Sequence, residues 1–483
     1  MKQNDYEHSR PLDVHRWSEH TEVNKFVDDI YNTYFKQKSS IRKKHLKVVL
    51  LDLYIAWRDA PTLSIGVGMS PKHYKAGQSR YNSLHIKRTM IEIVKELQKH
   101  KLIRLLGGKR VSTVVGYVTR IWAADKLIKK FQDTAFLEFA VGYHDGRETV
   151  ILRDNNKEEI DYVDNTNTKR MRKQLTAYNK LLEKSFIDIQ KYDEPKILIK
   201  PKRRRRSNKP KYVNISHHDK FVRRIFNNST FEEGGRFYGG WWQRIDGKIR
   251  KDIRINNVAT VEIDYSAIHV IMLYALLGID YWQSYSKDPY DINVRFVNDP
   301  KHSRTIVKNL ILLGINANDE KSLFKAFRNE HDYEKMNYVF TDERLEEILN
   351  DIKKEHNLIA DKICSGQGIK LMNYDSRIVE YILDDFIERD TPILTVHDSF
   401  IVPLGLENEL YRLMQEAFER VMYTSKTKVK YNENITKQYL YSTRHLDYDY
   451  FIDMFFHLTK GSPTKGYKRR MERHNLFYNS SNV

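Results

Sequence analysis

Two aspartates stand where apolar runs end. Asp264 closes Thr260-Val261-Glu262-Ile263-Asp264, which reads as a short strand, and an apolar helix follows it. That places its carboxylate at the lip of a sheet. Asp398 lies in His397-Asp398-Ser399, between two apolar runs that read as strands joined by a tight connection. Such connections project side chains outward, so Asp398 is expected to be presented rather than buried. A carboxylate at each of two strand ends is the hard oxygen set that a pair of Mg²⁺ ions takes, together with waters and substrate phosphates. Two such ions about 4 Å apart can activate an attacking oxygen and stabilise a leaving one. Most aspartates at strand ends are only solvated or capping groups. A second feature is therefore needed, and a cationic pair supplies it. Arg304 and Lys308 are four residues apart in a helical segment and share one face, while Val307, Leu310, Ile311 and Gly314 occupy another. An Arg and a Lys one turn apart suit a triphosphate; alone they would read as an exposed polar face.

Other constellations carry less chemistry. His397, Asp398 and Ser399 have the residue types of a hydrolytic triad, but adjacent residues cannot place a base between its partners. His217-His218-Asp219 lacks the further spaced ligands of a metal site and reads as a loop or phosphate-facing segment. Gly234-Gly235 and Gly239-Gly240 flank aromatics and match no phosphate loop. Tyr238, Trp241 and Trp242 could stack on bases or pack a core. Asp447, Tyr448, Asp449 and Tyr450 read as surface and packing.

The chain has 483 residues, which suggests about three domains. With 83 Lys and Arg against 64 Asp and Glu, its formal charge is +19, which suits a polyanion such as nucleic acid. Hydrophobic residues at 40% argue against disorder. One cysteine, Cys364, excludes internal disulfides and a Cys-rich zinc site and fits a reducing compartment. No apolar run is long enough to span a bilayer and no signal core opens the chain, so a cytoplasmic protein without a membrane partner is expected.

Four segments follow. Residues 1–40 read as an N-terminal extension. Residues 41–133 give an apolar helix (Leu46, Val49, Leu50, Leu53, Trp57), a basic helix entered by Lys87 and Arg88, and two strands around Gly107-Gly108. This order resembles a winged helix-turn-helix, whose basic helix would enter the major groove; it also fits a small α+β interaction domain. Residues 134–225 read as a hairpin around His144-Asp145-Gly146, an amphipathic helix capped by Asn165 or Thr166, and a basic linker. That linker holds twelve Lys and Arg, with Arg203, Arg204, Arg205 and Arg206 in succession, and could follow a phosphate backbone or remain solvated. Residues 226–483 carry the two aspartates and the cationic pair.

The motifs together resemble family A DNA polymerases and the related single-subunit phage RNA polymerases, including the transposon- and virus-borne branch. Asp264-Tyr265-Ser266-Ala267-Ile268 is similar to the first carboxylate motif, and His397-Asp398-Ser399-Phe400 to the second. Arg304-xxx-Lys308 resembles the fingers-helix motif, and Gly235-Arg236-Phe237-Tyr238 the segment that touches primer–template. All four occur in the family's order over residues 230–403.

The resemblance implies an α+β right hand of palm, fingers and thumb, preceded by the winged-helix-like domain. It implies a DNA polymerase of a mobile element or phage, working with that element's replication proteins on a primer–template duplex and dNTPs. Asp264, Asp398 and the backbone carbonyl of Tyr265 would hold two Mg²⁺ ions, with Mn²⁺ as a substitute. Arg304 and Lys308 would bind the triphosphate, and Lys308 would protonate the leaving pyrophosphate. His397 would lie near the primer end and Arg236 on the nucleic acid. Lys87, Arg88 and the run from Arg203 to Arg206 would add phosphate contacts. Departures fall on the nucleotide pocket. His269 stands where DNA polymerases carry Glu, Leu312 replaces an aromatic, Asn316 a Tyr and Ser399 a Glu. An RNA polymerase or primase-like enzyme using NTPs, or a non-catalytic DNA-binding protein with a degenerate palm, therefore stays open.

Overall fold

The computed structural model describes residues 8–74, 79–110, 116–199, 211–330, 338–423, 440–442 and 462–480. Arg203 to Arg206 and Asp447 to Tyr450 lie outside the described residues. The chain is a mixed α+β protein, and its described residues form two hydrophobic cores. No helix among the described residues is long and apolar enough to cross a membrane.

The first core begins with β1 (Ser9–Pro11), β2 (Arg16–Trp17), α1 (Thr21–Tyr34) and α2 (Ser40–Asp59). Ser39 caps α2 by accepting from the Arg42 amide at 3.2 Å. Then come β3 (Ser64–Val67), α3 (Thr89–Lys99), β4 (Ile103–Leu106), β5 (Lys109–Arg110), β6 (Gly116–Tyr117), β7 (Thr119–Ala123), α4 (Asp125–Gln132) and β8 (Gly142–Tyr143). The main sheet has the order β1-β3-β7-β4. Met90, Ile93, Val94 and Leu97 of α3 are buried at helical spacing, so Lys95 and Lys99 face outward, as do Lys87 and Arg88 just before the helix. Val23, Val27 and Ile30 of α1 share this core, so residues 21–35 are part of the packed unit rather than an extension from it.

The expected hairpin at 134–160 does not form. β8 pairs with β2, whereas β9 (Val150–Leu152) runs parallel to a strand of the second core. The turn at His144 to Gly146 instead carries the chain from one core to the other. Next come α5 (Thr166–Lys184), β10 (Ile187–Ile189), β11 (Lys196–Ile199), β12 (Lys211–Asn214), β13 (Val222–Phe226) and β14 (Gly234–Gly239). Asn165 and Thr168 close a reciprocal capping box on α5. The basic segment is not an open linker at its ends, because β11 and β12 pair antiparallel. Two of its cations are interior: Lys220 is 3% exposed and Arg224 1%. Burial removes both from any phosphate-binding strip. His218 is buried too, which corrects the phosphate-facing expectation, and Trp241 and Trp242 are fully buried core residues.

The second core continues through α6 (Gly247–Arg250), β15 (Ile253–Ile255), β16 (Val258–Tyr265), α7 (Ile268–Leu276), α8 (Tyr281–Tyr285), α9 (Pro300–Asn316), α10 (Glu320–Glu330), α11 (Asp342–Glu355), α12 (Gly368–Glu388), β17 (Leu394–Val396), β18 (Ser399–Pro403), α13 (Glu407–Tyr423), β19 (Leu440–Ser442) and α14 (Lys465–Ser480). Its sheet has the order β10-β15-β16-β18-β17, with β19 also on β16. Asp299 caps α9 and Pro300 opens it, the residue types that start a helix.

The β13–β14 hairpin is stapled to α12 by two interior ion pairs, Arg224–Glu380 at 2.9 Å and Arg236–Asp375. Gly239 lets the open end of the hairpin close tightly on the chain entering β13. Its φ is 136°, and a Cβ there would lie 2.0 Å from the Phe221 carbonyl oxygen. Backbone cannot yield as a side chain can, so Gly239→Ala is expected to cost roughly 3 kcal/mol or more, read as a lower urea midpoint.

Helix α14 joins the two cores. Tyr467 packs on Phe186, Arg470 grips Asp188 at 2.7 and 3.1 Å, and Arg473 reaches Glu138 at 2.7 Å. His474 is 4% exposed among Phe139, Phe186 and His217. Burial, then the nearby Lys220 charge, pushes its pKa down to about 4. The folded state thus prefers the neutral ring while the unfolded chain takes a proton below about 6.5. Stability is complete above pH 6.5 and is lost as pH falls toward 4, by roughly 3 kcal/mol from this group. Thermal unfolding followed by circular dichroism should show the loss, and His474→Phe should flatten it.

Candidate active site

The two aspartates meet across the central strand pair. β16 and β18 are antiparallel with Asp264 opposite Ser399, so Asp398 stands one residue from Asp264's partner. The His397-Asp398 turn joins β17 to β18, with φ 58° at His397 and Asp398 half-buried. Past Asp264, Ala267 takes φ 51° and starts α7. Burial, then the like charges of Asp398 and Glu262, push the Asp264 carboxyl up to about 7, against the opposing charge of Lys308. Its Oδ1 is buried without a hydrogen-bond partner.

Glu262 lies two residues back on the same face of β16. Arg250 holds it from Nε at 2.9 Å and Nη2 at 2.7 Å, and the Ser399 hydroxyl donates to it at 2.8 Å. Ser399 thus orients a carboxylate from the neighbouring strand. Sequence gave no sign of this, because Glu262 and Ser399 are 137 positions apart.

Arg304 and Lys308 are exposed on α9. The Arg304 Nε donates to Asp288 at 2.8 Å, and its guanidinium lies 5.5 Å from the Tyr290 ring centre; Lys308 Nζ lies 6.0 Å from the same ring. Burial raises the Tyr290 hydroxyl pKa, as do the charges of Asp288, Asp398 and Asp264, while Arg304 opposes. Tyr290 thus packs beside the cations of α9 and feels the charges of both acids. Leu312 is half-buried one turn beyond Lys308. Asn316 ends the helix and packs against Gly368, where a Cβ would lie 2.0 Å from its Oδ1.

Arg236 projects from β14 toward α12, where Asp375 accepts from its Nε at 2.7 Å. His269 Nε2 lies 3.1 Å from Arg236 Nη2, and the ring is nearly buried. The Tyr238 ring lies 5.7 Å from that of His397, whose Nδ1 is buried and unpartnered. Burial, then Arg236, lowers the His397 pKa. Tyr265 is anchored by its hydroxyl, which donates to the Met414 carbonyl. Lys87 and Arg88 lie exposed on the unit built around the first core and join none of these contacts. Asp375 was missed, yet Leu371, Asp375, Ile378 and Ile382 follow helical spacing, so an acid inside an apolar stripe was its signal.

Among the described residues no group of three or more His, Cys, Asp or Glu gathers around a common metal position. The protein offers two carboxylates, one with an orphaned oxygen and a proton affinity raised by burial and then by its neighbours. That donor set suits Mg²⁺, which keeps waters and takes phosphate oxygens for its other positions. It does not suit the four-ligand zinc site of a structural centre.

No protein-family model matches the chain, and no curated protein matches it. One solved structure similar over part of it is the POL domain of Pol1 from M. smegmatis, in complex with DNA primer-template and dNTP. The identity is 14% and the TM-score 0.25, over 43% of this chain and 45% of that one. The chain thus spans less than half the length of that domain.

Proposed function

We propose that the protein is a template-dependent nucleotidyltransferase, a DNA polymerase that extends a primer 3′ end. The observation that carries this reading is the strand register that sets Asp398 beside Asp264, whose Oδ1 is buried without a partner and whose raised pKa the Lys308 charge opposes. Phosphoryl transfer needs positioning and charge neutralisation more than covalent help, and these residues offer both.

Asp264 and Asp398, with the Tyr265 backbone carbonyl, are the groups that would hold two Mg²⁺ ions; Mn²⁺ fits the same oxygens. When bound, the ions supply Lewis-acid charge neutralisation at the reacting phosphate. Lys308 binds the triphosphate and hands a proton to departing pyrophosphate. Arg304 exchanges Asp288 for a phosphate oxygen. His397 flanks the primer end, and Arg236 borders the duplex. His269, Leu312 and Asn316 form the nucleotide side of the pocket. In this reading residues 226–483 form palm and fingers, α5 is a thumb element, and Lys87 and Arg88 lead a winged-helix domain onto duplex DNA.

The test is Mg²⁺-dependent extension of a primed DNA template by the full chain, with dNTPs and NTPs in parallel. Extension with dNTPs is expected. Extension with NTPs alone would assign an RNA product, and no extension on varied templates would leave a non-catalytic DNA-binding protein.

A further inference from the structure

Asp375 is a charged side chain in an apolar stripe, 1% exposed. Its Oδ2 takes two donors from one guanidinium, Arg236 Nε at 2.7 Å and Nη2. That Nη2 also lies 3.1 Å from His269 Nε2. A guanidinium only donates, so Nε2 is assigned as acceptor and the ring proton to Nδ1. The Asp375–His269 separation of 3.5 Å is too long to compete. Arg236 is itself largely enclosed, its side chain 13% exposed.

A second carboxylate, Asp398, also favours the Arg236 charge. Arg236 and Tyr238 point to the same side of β14, and Tyr238 packs on His397, the residue before Asp398. Burial works against the Arg236 charge, and Asp375, then Asp398, more than offset it. An enclosed guanidinium must keep a carboxylate partner. While Asp375 fills that role, Asp398 does not have to.

We propose that Asp375 is a positioning residue that holds the Arg236 guanidinium against α12 and so keeps it from pairing with Asp398, which stays free for a divalent cation. The proposal rests on the reading of Asp398 as a cation ligand. Without the Asp375 charge, Arg236 turns to Asp398, and guanidinium and metal then compete for one carboxylate.

The experiment is Mn²⁺ binding to the full chain without nucleic acid, followed by the electron paramagnetic resonance signal of free Mn²⁺. Asp375→Asn is expected to weaken binding about tenfold, within the range of couplings between contacting charges, and Arg236→Gln with Asp375→Asn to restore it to within about twofold. A merely structural role for Asp375 would lose binding in both variants, because removing Arg236 repairs no packing. Should Asp375→Asn fail to fold, the double variant, which leaves neither charge unpaired, still tests the idea, and Arg236→Gln, scored only where a thermal melt shows it folded, must bind Mn²⁺ at least as tightly as wild type. Unchanged binding in Asp375→Asn, no restoration in the double variant, or weaker binding in Arg236→Gln would each overturn the proposal. Equal binding by wild type and Asp398→Ala would strike the cation reading and the proposal with it. The expected pattern without primer extension would support the role of Asp375 and strike only the polymerase reading.

Discussion

Asp398→Ala is expected to cut Mg²⁺-dependent primer extension by at least roughly a thousandfold, the scale seen when one electrostatic element of a reaction site is removed. The nearest further acid on that face, Glu262, is already held by Arg250 and Ser399, so it is not free to take the place of Asp398. The fold should not suffer. Asp398 is half-buried on a turn, and its charge raises the Asp264 pKa, so its removal relieves a like-charge contact. Single-turnover extension beside a thermal melt separates the two effects. Activity equal to wild type would remove Asp398 from the reaction.

Glu380→Gln is expected to have the largest effect on stability, roughly 3–5 kcal/mol, read as a lower urea midpoint. Arg224 is 1% exposed, and its Nη1 donates to Glu380 at 2.9 Å while Nη2 donates to Ser376 at 2.9 Å. Glutamine keeps the shape and removes the charge, which leaves the guanidinium uncompensated inside the protein. Glu380 also pairs with Arg170, whose side chain is 54% exposed. Arg170→Ala should therefore cost less than about 1 kcal/mol, because water screens and replaces an exposed partner. Equal losses from both variants would refute this division.

Much of the site was legible because its signals are local. Asp264 and Asp398 each follow or divide apolar runs, and Arg304 and Lys308 share a helix face by spacing alone. Asp299 and Pro300 announce α9, and Asn165 caps α5. What was not legible joins distant positions. Arg236 and Asp375 are 139 residues apart and Arg224 and Glu380 156. In the sequence Arg224 looked like one more cation of a basic run, yet it is interior, while Lys87 and Arg88 stay outside.

The sequence by itself determined where strands and helices end, and so which acids and bases stand at element ends or along one helix face, because backbone periodicity depends on near neighbours. Only the tertiary structure decided which charges are paired. Antiparallel packing of β16 on β18 brings the two aspartates together, and docking of β14 on α12 gives Arg236 to Asp375. Burial removes the competition of water, so in the interior each charge answers to the partner that folding places beside it.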